Sequence, residues 1–135
     1  MEWSFETPTK AGQIIRTKVS FYYHYGIFVS EDEVIQFGLP TDPQKQAAQI
    51  KVLASDISTF LGDGQVETAI LDASEKRTIR KNADIVKIAR SRIGEGGYDI
   101  LHNNCEHFVN DCAFGEAKSS FVNSVREKLR QKLGK

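Results

Sequence analysis

The spacing of apolar positions divides the chain in two. Up to about residue 71 they tend to alternate with polar ones, the period of a half-buried strand. Gln13 to Val19 and Phe21 to Val29 are rich in β-branched and aromatic residues and predict two strands. In the second, Tyr22, His24, Gly26 and Phe28 share one face and Tyr23, Tyr25, Ile27 and Val29 the other. The polar run Ser30-Glu31-Asp32-Glu33 predicts a turn into a short strand, Val34 to Phe37, closing a hairpin. Gly38 to Gln49 reads as a loop, Ile50 to Leu53 as a strand, and Ser55 as the cap of a short helix ending at Gly62-Asp63-Gly64. Gln65 to Leu71 predicts one more strand.

Beyond residue 71 the period becomes helical. Ser74 is positioned to cap a helix in which Ile79, Ala83, Ile85, Val86, Ala89 and Ile93 fall within about 160° of arc. Gly94, Gly96 and Gly97 end it, and Tyr98 to His102 reads as extended or irregular. Asn103 or Asn104 then caps a helix from about Cys105 to Phe114, and a last helix spans about 119–133. Strands first and helices later, joined by a hairpin, predict an α+β fold with an antiparallel sheet.

Composition narrows the function classes. A chain of 135 residues is expected to form a single domain, with its core at about 11–115 followed by the helix at 119–133. Lys plus Arg and Asp plus Glu both number 18, which removes the main electrostatic argument for a nucleic-acid partner. No window reaches the roughly 18 apolar residues of a membrane span. The opening residues show no secretory signal. The two cysteines, Cys105 and Cys112, fall about two helical turns apart, too far for a disulfide. A soluble cytoplasmic protein with reduced thiols is expected.

Cys105 carries the candidate chemistry. It stands in the first turn of its helix, where unpaired N–H groups and the helix dipole favour a thiolate. At 100° per residue, Phe108, Val109 and Cys112 share its face, whereas His107 lies on the far side, poorly placed as its base. His24 is the better candidate, on the strand face shared with Gly26, where a missing side chain leaves room for an approaching helix. If the start of that helix lies over this sheet face, His24 can meet Cys105 in the Cys–His pairing of nucleophilic catalysis. A three-residue loop at Ser30 to Asp32 sets Gly26 opposite Gln36. That puts Gln36 on the face of His24, where its amide oxygen can fix the imidazole tautomer, whereas a four-residue loop would turn Gln36 to the other face and remove this role.

The strings Ala11-Gly12-Gln13-Ile14-Ile15, His24-Tyr25-Gly26-Ile27-Phe28-Val29 and Asn104-Cys105-Glu106-His107-Phe108-Val109-Asn110 resemble the lecithin:retinol acyltransferase family. Ala89-Arg90-Ser91-Arg92-Ile93-Gly94 and Tyr98 extend the likeness. The resemblance implies a permuted papain-like (NlpC-like) fold. It also implies attack of a thiol on an acyl ester of a phospholipid, through a thioester, with transfer to an alcohol, an amine or water. It makes Cys105 the nucleophile, His24 the general base and Gln36 its orienting partner, with Tyr22 and Asn104 at the oxyanion and substrate side and with no metal or cofactor. Animal members usually carry a second histidine where this chain has Gln36, and a hydrophobic anchor that is not visible before Lys135. In those respects the chain is more similar to bacterial or viral members.

Three other readings stay open on sequence. The same fold with a silent site would serve as a non-catalytic interaction module. A thiol peptidase or amidase would carry the same dyad, and the pocket beside Cys105 distinguishes it: an apolar channel suits an acyl chain and a polar groove a peptide. His102, Cys105, His107 and Cys112 supply zinc-type ligands, but in no standard spacing. In the last helix Phe121, Val122, Val125, Leu129 and Leu133 line one side among Arg126, Lys128, Arg130 and Lys132. That stripe is expected to pack on the chain's own core, with peripheral membrane contact as the alternative.

Overall fold

A computed structural model describes residues 1–20, 22–40, 45–101, 103–116 and 119–133, with the side chains of 120 and 121 left out. Six strands form one antiparallel sheet: β1 (Glu2–Ser4), β2 (Ile14–Val19), β3 (Tyr22–Ser30), β4 (Glu33–Phe37), β5 (Val52–Ser55) and β6 (Glu67–Ile70). Their order across the sheet is β1-β6-β2-β3-β4-β5, so β3 lies near the centre. Five helices complete the fold: α1 (Ile57–Leu61), α2 (Ala73–Thr78), α3 (Asn82–Ser91), α4 (Cys105–Phe114) and α5 (Ser120–Leu133).

The sheet separates two apolar layers. On one face Tyr25, Ile27, Ile35, Phe37 and Val52 pack with Ile85 and Ala89 of α3 and with Cys105, Phe108, Val109 and Cys112 of α4. On the other, Ile15, Phe28 and Val34 pack on Phe60 of α1. The alternation along β3 thus serves two layers, and both sets of side chains are buried.

The hairpin register sets Gly26 opposite Gln36, as the sequence predicts, but by a different route. Ser30 pairs with Glu33 across a two-residue turn, and a bulge between Phe28 and Ser30 takes up the extra residue in place of a three-residue loop.

Several boundaries differ from the sequence expectation. Asp72, not Ser74, caps α2, with Glu75 completing a capping box. The single helix expected from 74 onward is broken at Ile79–Lys81 because α4 claims Arg80. The Arg80 N–H donates to Ala113 O at 2.8 Å, and its guanidinium donates to Asp111 O at 2.7 Å and to Cys112 O at 2.9 Å. These bonds close orphan carbonyls at the end of α4. Asp56, not Ser55, caps α1. Strand β1 is too short to leave a periodic signal in the sequence.

The last helix departs most from its expectation. Val122 is buried and Val125 half-buried, but Leu129 is 52% and Leu133 83% exposed. The stripe leaves the core after its second turn. The side chain of Phe121 lies outside the described residues. No described helix is long and apolar enough to cross a membrane.

Candidate active site

Asn104 shapes the start of α4. Its side-chain oxygen accepts from the N–H groups of Glu106 and His107, both at 3.0 Å, and its amide nitrogen donates to Ile100 O at 2.8 Å. His107 completes a capping box: its Nδ1 accepts the Asn104 N–H at 3.0 Å. His107 is thus buried at the helix start, and its ring holds the cap. The side chain of Asn104, expected at the oxyanion and substrate side, is engaged in capping.

Glu106 ties this helix start to α5. The Ser119 hydroxyl donates to Glu106 Oε1 at 2.9 Å while accepting the Val122 N–H at 3.3 Å. Three residues of the Asn-Cys-Glu-His string therefore build the support on which the fourth, Cys105, is held.

The Cys105 thiol lies along the edge of β3. Its sulfur accepts a hydrogen bond from the Tyr25 N–H and lies 4.0 Å from Tyr23 O. It occupies a ladder position beyond Gly26, where the pairing with β4 begins. These two backbone groups flank His24. Burial pushes the thiol up to about 11, against the bonds from the N–H groups of Tyr25, Cys105 and Glu106 that favour the thiolate. Removal from water thus opposes the acidity expected from the helix start. Cys112 is buried in the core, and burial likewise raises its thiol to about 11.

His24 is buried on β3 with its imidazole in the α1 layer, ring centroid 5.2 Å from that of Phe60. Its Nε2 lies 2.9 Å from Gln36 Oε1. A chain of bonds fixes the direction of this contact. The Gln36 amide nitrogen donates to Val34 O at 3.3 Å and to Ser55 Oγ at 2.8 Å, and the Ser55 hydroxyl donates to Asp56 O at 2.9 Å. The Gln36 oxygen is therefore the acceptor facing His24, and Nε2 carries the proton. In the neutral ring Nδ1 is then the basic nitrogen. It is also the ring nitrogen nearer the main chain.

Gly26 leaves room for a helix, but a different one from that expected. A Cβ there would come within 2.7 Å of the Phe60 ring, so the space is filled by α1. The helix bearing Cys105 packs on the opposite face and reaches the His24 segment at the strand edge. The Tyr22 hydroxyl donates to Pro40 O at 3.0 Å. His102 lies outside the described residues.

A cavity of about 250 Å³ adjoins α4 on the Tyr25 face. Its walls mix Trp3, Tyr25 and Val109 with Arg16, Glu106 and Asn110, and Cys105 and His24 are not among its lining residues. Beside it the Arg16 guanidinium stacks on Trp3 and Tyr23 and pairs with Glu67 at 2.9 Å.

Fold and site define a class: α+β proteins with a buried thiol at a helix start against the central strand of an antiparallel sheet. The model of the lecithin retinol acyltransferase family matches residues 7–118, and the chain belongs to that family. It is 25% identical to mouse "Lecithin retinol acyltransferase" over 126 residues, which covers 77% of this chain and 54% of the mouse protein. It is 28% identical to human "Phospholipase A and acyltransferase 3" over 130 residues, covering 86% of this chain and 77% of that protein. The chain spans little more than half the length of the mouse protein.

Proposed function

We propose that this protein is a thiol acyltransferase or hydrolase with Cys105 as nucleophile, His24 as general base and Gln36 as orienting residue. One observation carries the reading: the sulfur lies against the main chain on both sides of a histidine whose tautomer is fixed from behind. His24 Nδ1 takes the thiol proton as the sulfur attacks the acyl carbonyl. The tetrahedral oxyanion forms beside the start of α4, where the Cys105 N–H supplies a donor. Tyr22 joins it by turning its hydroxyl from Pro40. The imidazolium returns the proton to the departing alcohol or amine, leaving a thioester. Water or an acceptor, deprotonated by His24, then takes the acyl group and releases the thiol. Asn104 acts by holding the helix start.

The names of the relatives point to a lipid acyl donor. Two exposed aliphatic side chains, Ile100 and Leu101, on the turn preceding Cys105 suit such a donor. The test is intact mass spectrometry after incubation with a panel of phospholipids and simple acyl esters. The expected result is one acyl adduct on Cys105, absent in Cys105→Ser and His24→Ala. In Gln36→Ala it should form about 10- to 100-fold more slowly, less than the roughly 10²–10⁴-fold of a general base itself, because Gln36 orients the ring and does not move the proton. Acylation that survives His24→Ala, or that falls on Cys112, would overturn the assignment.

A second reading is favoured by the burial of the thiol and its high pKa: a silent site in a protein that binds a partner or a lipid. Failure of every donor to acylate Cys105, together with alkylation only at strongly alkaline pH, would support it.

A further inference from the structure

The distal half of α5 is an amphipathic segment whose apolar stripe is half-buried at Val125 and left uncovered by the described elements at Leu129 and Leu133. At 100° per residue, Val125, Leu129 and Leu133 fall within about 80° of arc. Arg126 and Arg130 run along one margin of this stripe, and Lys128 and Lys132 along the other. The single acidic residue, Glu127, lies on the back, paired with Arg130 at 2.6 Å. Leu129 and Leu133 are two of the largest apolar exposures in the described chain.

Charge decides what covers this stripe. The helix carries four basic residues and one acidic one, while the chain as a whole is neutral. The rest of the molecule therefore holds a matching excess of negative charge. A negatively charged surface attracts α5 and repels the body, which orients the molecule helix-first. A second copy does not fit: pairing two such stripes would set basic margins against basic margins on both sides. A flat interface fits, since long Lys and Arg side chains flanking an apolar stripe extend to headgroup level while the stripe enters the acyl boundary.

We propose that residues 125–133 form a docking surface for an anionic lipid bilayer. The inference does not depend on the acyl-transfer reading. It is tested in Cys105→Ala, so that no lipid is consumed and failure of one idea leaves the other standing. The full chain is sedimented with vesicles of pure phosphatidylcholine and with vesicles that also contain phosphatidylglycerol.

Binding to the anionic vesicles alone is expected, weakening as salt is raised. Leu129→Glu combined with Leu133→Glu should abolish it without altering the circular dichroism, since both side chains are exposed. Each of Lys128→Gln and Lys132→Gln should lower the partition coefficient about fivefold. Equal binding to both vesicle types, or binding that survives the double Leu→Glu change, would overturn the proposal. So would equally tight binding to soluble polyglutamate, which would assign the face to an acidic partner. A dimer in sedimentation equilibrium that the Leu→Glu changes disperse would assign it to a second copy.

Discussion

The Cys105 thiol sets a physical problem at the scale of one residue. Three backbone N–H groups favour its ionised form, yet burial dominates and raises it from 9.0 to about 11. Cys112 is raised from 9.0 to about 11 by the same cause. Below pH 9 both thiols stay protonated in the folded and unfolded chain, and stability is unaffected by their ionisation. Between 9 and 11 the unfolded chain ionises first, so stability falls as pH rises through that window. The expected loss is on the order of 1–3 kcal/mol per thiol. Urea unfolding at either end of the window measures it, and Cys105→Ala should flatten the slope by about half. A slope unchanged in that variant would mean the thiol is not buried as described. In the proposed acyl transfer such a thiol starts neutral and needs a base, the task assigned to His24.

At the scale of elements, α4 is set by its cap. The sequence offers Asn103 and Asn104, and periodicity does not choose between them. Asn104 is used because its oxygen meets two N–H groups while His107 closes the box from the other side. The placement of His107 away from the face of Cys105 is legible in the sequence; its capping role is masked because Glu or Gln usually holds that position. Replacement by the usual residue is therefore informative. His107→Gln should keep stability and acylation near their original values, and His107→Ala should lose about 1 kcal/mol. Thermal unfolding and adduct formation measure both effects. Equal inactivation by the two substitutions would mean the imidazole takes part in the chemistry. The break between α2 and α3 could not be read from local pattern, because long-range bonds from Arg80 to the end of α4 impose it. The same holds for α5, whose amphipathic spacing is clear but whose departure from the core is not.

At the scale of the whole molecule, the sheet keeps the Cys105 thiol and the His24 imidazole, the proposed nucleophile and base, in separate layers. Alternation along β3 and the hairpin register make the shared face of His24 and Gln36 legible. Periodicity cannot say which layer receives α4, since both faces of β3 are buried, and Gly26 suits an approaching helix without naming it. The separation gives each half of the site its own support: Phe60 and Gln36 hold the imidazole, and the α4 cap holds the sulfur. A change in the α1 layer should then disturb catalysis without disturbing the thiol's own packing. Phe60→Leu keeps the layer apolar but removes the ring beside His24, at about 1–2 kcal/mol. Ile85→Val in α3 costs about 0.5–1.5 kcal/mol in the opposite layer, away from the imidazole. With thermal stability measured alongside, Phe60→Leu should slow acylation of Cys105 several-fold and Ile85→Val should leave it unchanged. Equal slowing by both would show that general loosening limits the rate and that the α1 layer has no special hold on the base.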